Sequence, residues 1–250
     1  MRVAVLVLAL LGIASAATAE ELKVYAAAGV KAPFLKLAAD YEAATGHKIA
    51  VVFDTAGATN KRFLSDPGAA LLITTQPLID EGQKSGRLKD GVSSRLGATV
   101  AGLAAPPGSP KPDISTTEKL KAALLSARRI AFSDPARGAT VGTHFMKMIE
   151  SMGIKDDVLK KATLAQDGIE TMRLVLEGQV DLGVTQTSEI VQANRAALVG
   201  PFPKEFDLAT TYSLWHHANL SMATKGFVTL LTGAAGRAAL AEEGLRPAEQ

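Results

Sequence analysis

The sequence predicts an α/β protein built as two lobes, each a mixed, mostly parallel sheet flanked by helices. Three observations predict it. Short apolar runs of strand length alternate with stretches whose apolar residues recur every three or four positions, the pattern of βαβ units. Turns made of small residues follow several of those runs, where parallel strands hand over to helices. The turn-rich segment Ala105-Pro106-Pro107-Gly108-Ser109-Pro110 interrupts the pattern near the middle of the 250-residue chain, a length that supplies two cores of roughly 100 residues each.

Residues 1–19 read as a secretory leader. Arg2 supplies the positive n-region, Val3 to Ile13 the apolar core, and Ala17-Thr18-Ala19 a small-x-small cleavage site before Glu20. That core is shorter than the roughly 20 residues needed to cross a bilayer, and no second long apolar run follows, so an exported, water-soluble mature chain is expected. Residues 22–26 form the first strand. The helix after it carries Pro33 in its first turn and Phe34, Leu37, Ala38 and Tyr41 at helical spacing, and Gly46 closes it. Residues 49–53 are the next strand, 54–59 a turn, 71–74 a third strand and 77–84 a helix.

Residues 98–105 read as a strand running into the Pro-rich segment, the first crossing between lobes. In the second series, residues 129–133 are a strand. After Asp134-Pro135-Ala136-Arg137-Gly138, a helix places Val141, Phe145, Met148, Ile149 and Met152 on one face. A further helix groups Ile169, Met172, Val175 and Leu176 and ends at Gly178 before a strand over 180–185. Beyond Pro201 and Pro203, the run 210–217 returns to the first lobe, and helical stretches at 227–231 and 238–245 pack there. The expected lobes are 20–101 with 214–250, and 102–213.

Composition excludes several functions. With no cysteine, the chain has no disulfide, thiolate nucleophile or thiolate metal ligand. Its 27 basic and 25 acidic residues are scattered, and nucleic-acid binding needs a concentrated basic face. One Trp and three Tyr are too few for an aromatic carbohydrate cleft or stacking platform. His216 and His217 are strand neighbours pointing to opposite faces, which argues against a shared metal ion. His144, beside apolar Phe145, reads as an ordinary helix residue. The glycines around Gly138 and Gly142 lack phosphate-loop and dinucleotide spacing, and there is no nucleophile elbow. No cofactor is expected, and no catalytic constellation is legible.

Ligands of open α/β sheets lie beyond the carboxyl ends of the strands. Four loops stand there: 27–30, 54–59, 134–140 and Asp167-Gly168. Backbone N–H groups at helix starts, with dipoles contributing about 0.3–1 kcal/mol each, attract negative charge. Facing lobes would therefore surround a small anion. The expected ligand residues are Ala28, Gly29, Val30, Thr55, Ala56, Gly57, Arg137, Gly138, Ala139, Thr140, Gly168 and Gln186. Arg137 is the sharpest side-chain candidate, because a guanidinium can grip a carboxylate through two hydrogen bonds; the alternative is a solvated turn residue. Lys31, Lys61 and Arg62 read as surface charges. Gln186 and Ser188 offer donors, although Ser188 also suits a helix cap and Glu189 its first turn.

The chain resembles the periplasmic solute-binding proteins of the molybdate-binding type. The resemblance rests on Val24-Tyr25-Ala26-Ala27-Ala28-Gly29-Val30, Tyr41 through Gly46, Ser133-Asp134-Pro135-Ala136, and Gly236-Arg237-Ala238-Ala239-Leu240 to Gly244-Leu245-Arg246-Pro247. It implies a two-lobed periplasmic-binding-protein fold joined by two hinge strands. It also implies a monomer in the periplasm that binds an anion between its lobes and delivers it to the membrane subunits of an ABC importer. Molybdate binders hold the oxyanion with a serine after the first strand and another in the next βα turn. Here those positions read Gly29 and Ala56, and a tyrosine of their second lobe falls at Gln186. Backbone amides at Ala56, Ala139 and Gly168 and the hydroxyl of Thr55 remain. Each lost hydroxyl donor costs roughly 1–3 kcal/mol if a ligand oxygen is left unpaired, so an organic carboxylate stands beside molybdate as the expected ligand. Pro110-Lys111-Pro112-Asp113-Ile114-Ser115 and Gln186-Thr187-Ser188-Glu189 resemble a divergent branch that includes periplasmic aconitate isomerase, which shifts a double bond in an unsaturated tricarboxylate. Such chemistry needs a group that moves a proton from carbon, and Asp54, Asp134, His144 and Glu189 are candidates.

Overall fold

The computed structural model describes residues 18–247, so nearly all of the expected leader lies outside the described residues. Strand β1 (Glu21–Ala27) leads through a short 3-10 turn (Ala28–Val30) into α1 (Lys31–Thr45). That helix buries Pro33, Phe34, Leu37, Ala38 and Tyr41, the apolar stripe of the sequence, and Gly46 stops it at φ 75°, where its N–H bonds to the Glu42 carbonyl. Next come β2 (Lys48–Asp54), α2 (Ala56–Leu64), β3 (Leu71–Thr75) and α3 (Gln76–Lys84). Strand β1 pairs in parallel with both β2 and β3.

Strand β4 (Gly91–Ala104) joins the two halves. Through Val100 it pairs antiparallel with β9 (Ala209–His217), which also pairs with β3. From Ala101 it pairs instead with β7 (Leu182–Gln186), and from Gly102 with β8 (Leu198–Pro201). The sequence showed only the second half of this strand, since Gly91, Ser93, Ser94 and Arg95 give its first half little apolar signal. The second sheet continues from β7 to β5 (Ile130–Ser133) and β6 (Ala162–Ala165), both parallel. Helices α4 (Thr117–Ser126), α5 (Thr140–Ser151), α6 (Lys155–Leu159), α7 (Gly168–Leu176) and α8 (Thr187–Asn194) flank it. Helices α9 (Met222–Thr232) and α10 (Ala234–Glu242) return to the first sheet, where α9 packs on α1. No helix among the described residues is long and apolar enough to cross a membrane.

Two large cores correspond to the two lobes. In the first, Phe34 packs edge-on against Phe53 and Phe227, with ring centroids 5.6 and 5.4 Å away. In the second, Phe132 and Phe145 meet at 4.9 Å among Leu103, Leu120, Ile130 and Val184. Each fully buried side chain of this kind contributes roughly 1.5–3 kcal/mol, and the cysteine-free chain rests on such packing.

Local structure departs from the sequence reading in places. The expected turn 54–59 is mostly helix, because Thr55 accepts a hydrogen bond from the Ala58 N–H at 3.2 Å and starts α2. Helices α4 and α6 and strands β6 and β8 were not anticipated. Helix α8 begins after Gln186, so Ser188 lies within its first turn instead of capping it.

Candidate functional site

The carboxyl ends of β1, β2, β5, β6 and β7 converge where the lobes face each other. Ala27, Ala28, Thr55 and Ala56 come from the first lobe, and Ser133, Ala139, Thr140, Val141, Gly168, Thr185, Gln186 and Glu189 from the second. With Tyr212 on β9 they line one cavity of about 30 Å³, room for about two or three water molecules. Five helical starts border it, and that of α8 opens at Gln186, whose N–H is held by Glu189. Thr55 and Asp167 cap α2 and α7 with their side chains, whereas Ala27 and Ala139 offer no side chain to the turn 28–30 or to α5. The first amides of α5 are thus free of a side-chain acceptor, the arrangement that favours an anion.

None of the described residues lining this cavity carries a positive charge. One carries a carboxyl. Glu189 is 8 % exposed, and its Oε2 accepts the Thr185 hydroxyl and the Gln186 N–H, the latter at 3.2 Å. Burial pushes its pKa up to about 7; those two hydrogen bonds pull the other way, and nearby Asp167 adds to the rise. Burial also raises Asp167, which the Glu170 N–H partly offsets, and raises the Tyr212 phenol well above its ordinary value. A side chain at Gly168 would strike Glu189, its Cβ falling 2.0 Å from Oε2. A Cβ at Gly29 would fall 2.3 Å from the Tyr212 hydroxyl. Tyr212 therefore occupies the space in which molybdate binders, by the resemblance, place a serine side chain.

The lobes are clasped on both sides of the cavity. On one side the Gly57 N–H donates to the Gly138 carbonyl at 3.1 Å, and the Thr55 hydroxyl donates to the Arg137 carbonyl. The contact is so close that a Cβ on Gly57 would lie 2.7 Å from the Gly138 Cα. Arg137 reaches across to buried Asp54, its Nη2 2.9 and 3.0 Å from the two carboxylate oxygens, while its Nε donates to the Gln166 carbonyl at 2.9 Å. Arg62 holds Asp54 from the other side at 3.0 Å. On the opposite flank Gln192 of α8 donates to the Gly29 carbonyl at 2.8 Å and accepts from the Ala32 N–H at 3.0 Å. An apolar groove of about 480 Å³ lies on that flank and shares Ala28 and Glu189 with the cavity.

Of the expected ligand residues, Ala28, Thr55, Ala56, Ala139, Thr140, Gly168 and Gln186 line the cavity. Gly29 lies behind Tyr212, and Val30 is buried in the first core. Gly57, Arg137 and Gly138 belong to the clasp. The guanidinium expected to grip a ligand carboxylate is held by a protein carboxylate, because Asp54 stands opposite it once the lobes meet. Among the proton-transfer candidates, Asp54 is ion-paired, Asp134 accepts from the Ala136 N–H of its own turn, and His144 Nε2 lies 2.9 Å from the Phe206 carbonyl. Glu189 alone of the four lines the cavity. The sequence reading did not place Tyr212, Ser133 or Thr185 there; Ser133 and Thr185, polar residues near the carboxyl ends of buried strands, were the available signal.

Two lobes that share strand β4, with helical starts from both facing one cavity, have the architecture of a two-lobed solute-binding protein. Residues 22–246 match the bacterial extracellular solute-binding protein family, and the chain belongs to it. Over 233 residues it is 25% identical to a Pseudomonas protein described as aconitate isomerase, covering 90% of this chain and 87% of that one. It resembles in fold the periplasmic molybdate-binding protein of Azotobacter vinelandii, at TM-score 0.74 and 16% identity over 91% of this chain and all of that one. A Clostridium perfringens substrate-binding protein, described as belonging to a phosphate ABC transporter and solved with phosphate, aligns at TM-score 0.68 and 12% identity over 92% of this chain and all of that one.

Proposed function

We propose that the protein, exported and trimmed of its leader, acts as a periplasmic monomer that captures a small anion between its lobes for an ABC importer. The observation that carries this reading is the meeting of helical starts from both lobes at one cavity, with the first amides of α5 free of a side-chain cap. Main-chain N–H groups, the Thr140 and Tyr212 hydroxyls and the Gln186 amide supply the donors, with no cation at the ligand. Tetrahedral oxyanions and compact carboxylates suit such a site. A ligand larger than about two or three water molecules enters with the lobes further apart than they stand here, which is the hinge motion of this architecture. Calorimetric titration of the mature protein with molybdate, tungstate, sulfate, phosphate and a panel of di- and tricarboxylates tests this. Binding of at least one anion is expected; heats of dilution alone throughout would overturn the reading.

A second reading, an isomerase acting on an unsaturated tricarboxylate, is favoured by one specific observation. Glu189, a carboxyl poised near neutral pH, faces the cavity, and general acid–base transfer works best with such a group. Following cis- and trans-aconitate by chromatography tests it. Interconversion that Glu189→Gln abolishes supports the reading, and an unchanged mixture in the presence of the wild-type protein excludes it.

A further inference from the structure

A carboxyl facing an anion presents a conflict that the cavity must resolve. Glu189 cannot turn away, since Gly168 packs against its carboxyl and Thr185 and Gln186 fix Oε2. Nor does a lining cation compensate it. The other ionisable groups around it do not remove the problem. Asp167 at the start of α7 makes a negative charge at Glu189 harder to hold, and the Tyr212 phenol on β9, raised well above its ordinary value by burial, stays neutral and supplies no compensating charge. Lys31 on α1, Arg173 on α7 and Glu177 just after that helix line the adjoining groove and not the cavity; Arg173 is paired with Glu170 and Glu177.

From this geometry we infer that Glu189 is protonated in the complex and donates its hydrogen to the bound anion, so that capture above neutral pH takes up one proton from solvent. The inference rests on the anion-capture reading and adds a selection rule to it. The ligand must offer an acceptor oxygen to a neutral carboxylic acid, and its affinity must fall as Glu189 ionises in the free protein. The carboxyl is poised to do this, with a pKa near 7 before the anion arrives.

The test uses the mature protein and whichever of molybdate, phosphate, citrate and trans-aconitate binds. Dissociation constants are measured from pH 5.5 to 9, and heats at pH 8.5 are compared in two non-coordinating buffers of different ionisation enthalpy. For fully ionised anions, the expected results are a plateau at low pH, a Kd rising close to tenfold per unit above pH 8, and uptake of nearly one proton at pH 8.5. Glu189→Gln is expected to flatten the profile, whereas Asp167→Asn, which removes the other nearby carboxyl, is expected to leave the slope. Binding that is independent of pH and buffer in the wild-type protein would overturn the inference while leaving anion capture standing. A slope that persists in Glu189→Gln would also overturn it. Failure of every anion to bind at any pH would remove the reading beneath it as well.

Discussion

Glu189 occupies a place where one proton alters the stability of the whole chain. Its carboxyl is buried and its pKa is pushed up to about 7, against an ordinary value of 4.5 for an unfolded chain. Between those two values the folded state retains a proton that the unfolded state releases, so stability falls as pH rises from about 4.5 to 7 and then levels off. The loss amounts to roughly 3 kcal/mol. Urea unfolding of wild type and Glu189→Gln at pH 5, 6, 7 and 8 checks this. The substitution is expected to become progressively more stable relative to wild type as pH rises to about 7, and a constant difference across the series would contradict it. Sequence reading identified Glu189 as a first-turn residue and one of four acids or bases. Which of the four reaches the cavity is decided by tertiary packing: Asp54 lies one residue before Thr55, which lines the cavity, yet two arginines hold it elsewhere.

At the scale of elements, much of the architecture was legible. The apolar stripe of α1, the stop at Gly46 and the parallel alternation of the first lobe follow from periodicity and turn chemistry. Strand β4 was half visible, since periodicity carries little information where Ser93, Ser94 and Arg95 leave few apolar positions. Helix α2 was hidden by its opening Ala56-Gly57-Ala58-Thr59-Asn60, a composition that suits a turn as well as a capped helix. The clasp between α2 and the turn before α5 was invisible, because Gly57 and Gly138 lie far apart in the chain and meet only when the lobes close. Arg137→Ala removes its bond to Asp54 and is expected to weaken closure by about 1.5–3 kcal/mol, the range for a charged hydrogen bond. Since the guanidinium touches Asp54 and does not line the cavity, the loss of affinity should be similar for carboxylates and tetrahedral oxyanions. Calorimetry with one ligand of each kind measures the ratio, and a loss confined to carboxylates would restore Arg137 to the ligand.

At the scale of the molecule, two cores are tied by strand β4 and held together by contacts on both flanks of the cavity. Protein–protein hydrogen bonds hold this arrangement together, and on the proposed reading the ligand's free energy would add to them in a balance between open and closed forms. Gly57→Ala would push against the Gly138 backbone and hold the lobes apart. Small-angle scattering is expected to show a larger radius of gyration for this variant than for wild type in the absence of anion; identical curves would mean that the clasp does not set the closed form. The two-lobed plan was legible in the order of strands and small-residue turns, and several of the residues singled out in those turns line the cavity. The lining Tyr212 and the outward turn of Arg137 depend on how the lobes meet, which no local pattern encodes.

The most direct test places a competing carboxylate on the helix start that carries the account. Ala139 is the N-cap of α5 and offers its first amides no side-chain acceptor. Ala139→Asp would cap them, an exchange that favours the helix by about 0.5–2 kcal/mol and fills the anion's place with a fixed negative charge. Titrated against the anion that wild type binds, this variant is expected to unfold no more easily than wild type and to show at least a hundredfold loss of affinity. A stable Ala139→Asp protein that binds the same anion as tightly as wild type would contradict the assignment of the cavity between the lobes.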